Sequence, residues 1–175
     1  VPDLELFRMA KRVGIIGYPI RHSISPVFQQ AALDHHSVDA TYQAWEVTPE
    51  GLGDFIRRIT KDSAFYGPVK NADNVLLAAS DGEMVELDYA NSKIPLKSLF
   101  FPQNEMICSF EDGEIRNAAL PDDKVVVFGP RPCDVRALLV MDKVFGSDVQ
   151  DPYYLRRRDN TTVIALACKD PARTC

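Results

Sequence analysis

The sequence predicts an α/β protein: a short βαβ unit at the N-terminus, followed by a mixed α/β region. Three observations carry this. Residues 12–17 and 40–47 read as strands separated by a helical pattern. Residues 124–129 form a second apolar run, and helical periodicity follows it over 134–145. Between these lie short segments of strand character broken by Gly, Asn and Asp turn residues.

The elements follow in order. RVGIIG at 12–17 is an apolar run ending in Gly, the pattern of a buried parallel strand. Ser25-Pro26 opens a helix to about His35. Ser suits the N-cap, and Pro suits the first helical position because its missing N–H has no partner there anyway. ATYQAWEV at 40–47 is the second strand. Thr48-Pro49-Glu50 starts a second helix, with Leu52, Phe55, Ile56 and Ile59 as its apolar stripe. The style changes near residue 60. Segments 64–69, 74–79 and 84–88 read as short strands, and Leu96 to Phe101 as a helical turn stopped by Pro102. Residues 105–110 and 114–116 are expected to pair as a hairpin around Asp112-Gly113. KVVVFG at 124–129 is a buried strand, Asp134 to Phe145 a helix, and TVIALA at 162–167 a last strand. No repeat or flexible tether is visible. The expected division is therefore 1–59 and 60–175.

Composition excludes several function classes. The 175 residues have a net charge of -5 and are 46% hydrophobic, enough to bury a core. Basic residues are dispersed except for Arg156, Arg157 and Arg158, read as a solvated face, so no nucleic-acid partner is expected. No apolar run is long enough to cross a bilayer and no leader is visible, so no membrane partner and a cytoplasmic location are expected. The chain starts without Met and ends on a Cys, a hint from which a fragment is expected. The 4 cysteines are Cys108, Cys133, Cys168 and Cys175. In a reducing compartment such thiols are free or bind metal more often than they form disulfides, and no paired C-x-x-C zinc pattern is present.

Two places carry candidate chemistry. Ser23 and Ser25 lie between a strand end and a helix start, where α/β proteins place ligands. The helix N-terminus offers unpaired N–H groups, and two hydroxyls beside it suit a carboxylate or phosphate. The alternative is that Ser25 only caps the helix and Ser23 only satisfies the loop. His22 reads as a loop-packing residue. The second place is Cys133, which follows a strand and precedes a helix, a setting that favours the metal-binding thiolate. Cys168 ends another strand, and Cys175 follows in a Pro-containing loop. If the two strands are parallel neighbours, the thiols converge at one sheet edge, as an iron–sulfur cluster requires. The alternative is that Cys133 and Cys168 are small buried hydrophobes, the reading also favoured for Cys108.

Gly17-Tyr18-Pro19-Ile20-Arg21-His22-Ser23-Ile24-Ser25-Pro26, with Ala31-Ala32-Leu33 and Tyr42…Glu46-Val47 behind it, resembles the start of shikimate dehydrogenase over about residues 11–58. That resemblance implies that Ser23 and Ser25 bind the carboxylate of shikimate, and that NADP is the cofactor. The family's N-V-T-x-P-x-K segment with the catalytic Lys is not recognisable, and Lys70 in Pro68-Val69-Lys70 has the wrong context. A G-x-G-x-x-G/A loop is also missing, because Phe128-Gly129-Pro130-Arg131-Pro132 is too bulky to approach a pyrophosphate. No catalytic residue is therefore assigned, and hydride transfer by this chain alone is not expected.

Residues 66–70 (YGPVK), 88–91 (DYAN), 100–105 (FFPQNE), 127–138 (VFGPRPCDVRAL), 151–160 (DPYYLRRRDN) and 164–175 (IALACKDPARTC) resemble the iron–sulfur beta subunit of cytoplasmic sulfhydrogenases. A related component of anaerobic sulfite reductase is similar too. This resemblance covers about residues 60–175. It implies [4Fe-4S] clusters that pass electrons between flavin-containing and catalytic oxidoreductase subunits. The family's ferredoxin-like cysteine repeats lie further downstream, so the chain is truncated relative to both families. A cluster held by Cys133, Cys168, Cys175 and a fourth Cys beyond the end is inferred from placement. Three functions follow as expectations: an electron-transfer subunit fragment fused behind a shikimate-binding segment, a catalytically incomplete shikimate-dehydrogenase-like protein, or an inactive chimeric chain.

Overall fold

The computed structural model describes residues 11–80 and 85–168. The chain divides into two units, Val1–Arg58 and Ile59–Cys175.

In the first unit β1 (Lys11–Gly17) and β2 (Ala40–Glu46) pair in parallel, with Val13 opposite Tyr42 and Gly17 opposite Glu46. The helix α1 (Ser25–His35) makes the crossover between them. Gln30 ties α1 to β2: its amide nitrogen donates to the Ala40 carbonyl at 3.2 Å, and its oxygen accepts from the Tyr42 N–H at 2.8 Å. The helix α2 (Leu52–Ile59) buries Phe55 and Ile56, and the Phe55 ring lies 6.3 Å from that of Trp45. The helix expected from Thr48 starts at Leu52 instead. Thr48 accepts the Gly51 N–H through both its carbonyl and its hydroxyl, so residues 48–51 form a turn before it.

The second unit is built on a four-stranded sheet of order β4-β3-β7-β8: β3 (Ala64–Asn71), β4 (Asn74–Ala79), β7 (Val125–Phe128) and β8 (Thr161–Ile164). β3 pairs antiparallel with β4 and parallel with β7, and β7 pairs parallel with β8. The apolar run of β7 fills the sheet centre, where Val127 is fully buried. Against the sheet lie α3 (Lys97–Phe100), α4 (Pro132–Phe145) and α5 (Pro152–Asp159), and Leu77, Leu96, Phe100, Val127, Leu138 and Tyr154 form the core. The hairpin β5 (Cys108–Glu111) with β6 (Glu114–Asn117) is separate from that sheet. Asp112 and Gly113 both have positive φ, the turn that matches strand twist.

Three expectations are corrected. Residues 85–88 are not a strand; this stretch is irregular, and Glu86 N–H bonds the Pro68 carbonyl at 2.7 Å. The last strand ends at Ile164, not 167. The arginine run is not a free solvated face but part of α5, with Arg156 paired to Asp122, Arg157 to Glu105 and Arg158 to Asp142.

Candidate functional site

The loop from Tyr18 to Ile24 joins the C-terminal end of β1 to α1. Arg21 Nε bonds the Glu46 carboxylate at 2.7 Å, tying this loop to the end of β2. Ser23 Oγ accepts the Ser25 N–H at 3.3 Å. The expected N-cap is thereby corrected: Ile24 holds the cap position without a side-chain bond, Ser25 is the first helical residue, and Ser23 supplies the oxygen at this helix start. Ser23 is half-buried, and Ser25 lies beside it on the same turn. His22 is exposed, so its loop-packing reading does not hold. Ser23 and Ser25 thus sit together at a strand-to-helix turn that can present hydroxyls to an anion.

The second site lies where β7 and β8 end. These strands are neighbours, with Phe128 opposite Ile164. The pairing continues past them: Gly129 N–H bonds the Ile164 carbonyl at 2.8 Å, and Leu166 N–H bonds the Pro130 carbonyl at 3.0 Å. The loops bearing Cys133 and Cys168 therefore leave the sheet side by side. Cys133 lies in the first turn of α4, and both thiols are exposed. Cys108, expected to be buried, is also exposed. For all three cysteines the small-buried-hydrophobe reading is corrected. Cys175 lies outside the described residues.

Arg131 links these loops. It is only 6% exposed, and one of its terminal nitrogens donates to the Ala167 carbonyl at 3.1 Å, the residue before Cys168. Its guanidinium lies over the Tyr89 ring, 4.3 Å from the centroid. Its Nε is buried with no hydrogen-bond partner. Tyr89 donates its hydroxyl to the Gly129 carbonyl at 2.5 Å. Burial pushes the Tyr89 hydroxyl pKa up; the Arg131 charge opposes this, while Asp134, Cys168 and Cys133 add to it.

Gly129 makes the approach possible. Its φ is +94°, and a Cβ there would stand 2.7 Å from the Pro68 ring. Tyr89 also lines an open cleft of about 460 Å³ with Lys70, Asn74, Glu86 and Lys93. Among the described residues, no group of three or more His, Cys, Asp or Glu side chains gathers as a metal site. None of their helices is long and apolar enough to cross a membrane.

Sequence reasoning singled out the cysteines and missed Arg131 and Tyr89. No local signal marked Arg131, whose place is set by its contact with the Ala167 carbonyl.

Residues 15–69 match the family model described as the shikimate dehydrogenase substrate binding domain. The NADP+ shikimate dehydrogenase of Archaeoglobus fulgidus is 48% identical over 44 residues, 25% of this chain and 16% of that protein. That of Thermococcus kodakarensis is 51% identical over 43 residues, again 25% and 16%. Sulfhydrogenase 2 subunit beta of Pyrococcus furiosus is 29% identical over 120 residues, 68% of this chain and 36% of that protein. The resemblance is composite. Both components are oxidoreductase proteins, so the chain is oxidoreductase-related. It spans about a sixth of these dehydrogenases and about a third of the sulfhydrogenase protein. No solved structure matches it.

Proposed function

We propose that the Ile59–Cys175 unit is the front part of an iron–sulfur electron-transfer subunit of a hydrogenase- or sulfite-reductase-type oxidoreductase, fused behind a shikimate-binding segment. The observation that carries this is the side-by-side exit of the Cys133 and Cys168 loops from neighbouring parallel strands. Two exposed thiols, Cys133 and Cys168, would supply soft ligands among the described residues, two of the four a cluster usually takes. Cys133, Cys168 and Cys175 would hold the cluster with a further thiolate. When bound, a [4Fe-4S] group takes up and returns one electron at a time.

The chain's own residues prepare that site. The β7–β8 ladder fixes the spacing of the two cysteine loops. Pro132 starts α4 without an N–H, and Asp134 accepts the Arg131 N–H at 3.3 Å, which anchors the turn carrying Cys133. The partners are flavin-containing and catalytic oxidoreductase subunits, and the location is the cytoplasm. Iron and acid-labile sulfide measured after anaerobic purification test the reading. Stoichiometric iron and sulfide, lost in Cys133→Ala, are expected; an iron-free wild-type protein rules the cluster out.

A second reading rests on the Ser23–Ser25 pair at the start of α1. This loop would bind the carboxylate of shikimate, with Ser23 and Ser25 as ligands. NADP-dependent hydride transfer is not part of this proposal, because no dinucleotide loop or catalytic lysine is recognisable in the sequence. Calorimetric titration with shikimate checks it: binding should vanish in the Ser23→Ala, Ser25→Ala double variant, and undiminished binding there sinks the reading.

A further inference from the structure

We propose that the hairpin of β5 and β6 is a self-association site: β6 pairs antiparallel with β6 of a second copy of this chain, centred on Ile115, to make a four-stranded sheet.

The hairpin is held up without being covered. Of its strand residues only Ser109 is half-buried, and the rest are exposed. An isolated two-stranded hairpin is marginal in water. This one is anchored at its base. The Tyr153 hydroxyl bonds the Ile107 and Ala118 carbonyls at 3.1 and 3.2 Å, and Arg157 pairs with Glu105 and Arg156 with Asp122 on either side. Its two faces differ. Phe110 and Ile115 are cross-strand partners on one face, 74% and 73% exposed. Ser109, Glu111, Glu114 and Arg116 share the other, where Arg116 bonds Glu111 at 3.2 Å. Glu114 has no ion-pair partner among the described residues.

The outer edge of β6 selects the occupant. Bonded and non-bonded pairs alternate along an antiparallel ladder. Ala118 N–H bonds the Ile107 carbonyl at 3.0 Å, so Ser109 with Arg116 and Glu111 with Glu114 are the bonded pairs. Ile115 and Asn117 therefore direct their backbone groups away from β5, and among the described residues no third strand meets them. A second β6 centred on Ile115 takes them up. Ile115 then lies opposite its own copy, and Glu114 lies opposite the partner's Arg116, twice over. Each side chain stays on its own face, so the apolar faces join and Glu114 gains a cation. Neighbouring registers fail. A slip of one residue turns the two apolar faces to opposite sides, and centring on Arg116 sets like charges together. The β5 edge has no such match, because centring on Phe110 sets Ser109 opposite Glu111. The β6 contact is twofold, so it closes at a dimer.

Sedimentation equilibrium of the full chain, in reducing buffer at low salt, reads the dimer dissociation constant, with circular dichroism as the fold check. Wild type should dimerise. Arg116→Glu sets carboxylates opposite each other and should weaken the dimer about tenfold. Adding Glu114→Arg to that variant restores opposite charges and should return the constant toward the wild-type value. Ile115→Pro removes an outward N–H that β5 does not use, and should abolish the dimer. A wild type that stays monomeric overturns the proposal. So does an Arg116→Glu or Ile115→Pro protein that dimerises like wild type, or a double variant no tighter than Arg116→Glu.

Discussion

Tyr154 shows how one side chain links the core to solution conditions. Its ring is buried against Phe145, 4.8 Å between centroids, and its hydroxyl donates to Asp142 at 2.6 Å. Burial first, then the Asp142 carboxylate, push its pKa far above the ordinary tyrosine range. Unfolded tyrosine ionises at about pH 10. The stabilising contribution is therefore complete below about pH 10 and is lost progressively as pH rises beyond it. Urea unfolding at pH 8 and at pH 11 should show a clear loss of stability at the higher value. In Tyr154→Phe that alkaline loss should be smaller. Gly129 is constrained differently. Its positive φ and the Pro68 ring leave no room for a side chain, so Gly129→Ala should lower stability by about 1–3 kcal/mol, read as a fall in the urea midpoint.

Among the elements, β7 and α4 were legible because one rule dominates each. A continuous apolar run can only be a buried strand here, and helical periodicity with Pro at its start can only be a helix. By contrast α5 was hidden. Its sequence, PYYLRRRD, buries only Tyr154, so it shows no apolar stripe, and its arginines find carboxylates on other segments. The local cue lay in Asp151-Pro152. Asp151 accepts the N–H groups of Tyr153 and Tyr154 at 2.9 and 3.0 Å, and Pro152 takes the first helical position. Asp151→Ala should cost about 1 kcal/mol, measured as a lower urea midpoint. The segment 84–88 misled for the opposite reason: its alternation is real, but strand structure needs a continuous ladder, and residues 85–88 have one bond to Pro68. At the candidate site, the cysteines were legible because sulfur chemistry is scarce, whereas Arg131 depended on a tertiary contact with a carbonyl 36 residues away.

At the scale of the whole chain, the two units differ in what they bury. The second owns the cluster of Leu77, Leu96, Phe100, Val127, Leu138 and Tyr154. In the first, the buried apolar residues among those described are Ala40, Phe55 and Ile56, and α1 buries none. Hydrogen exchange should therefore find β7 and α4 protected long after β1 and β2 have exchanged; equal protection would count against this division. Apolar side chains also face outward on α1 (Val27 and Phe28), on the hairpin (Phe110 and Ile115) and on α4 (Val140 and Val144). Surfaces of this kind favour association. Light scattering after size exclusion should show self-association that grows with concentration, and a monodisperse monomer at every concentration would count against it.

The exposed sulfur of Cys108, at the start of the hairpin, shapes how any such experiment is run. In air, two chains can be joined there by a covalent bridge that imitates a native dimer on a column and disappears on a reducing gel. The same thiol scavenges stray iron during reconstitution and inflates the apparent loading. A Cys108→Ser background, far in sequence from the other cysteines, removes this thiol's share of both artefacts before the first spectrum is taken.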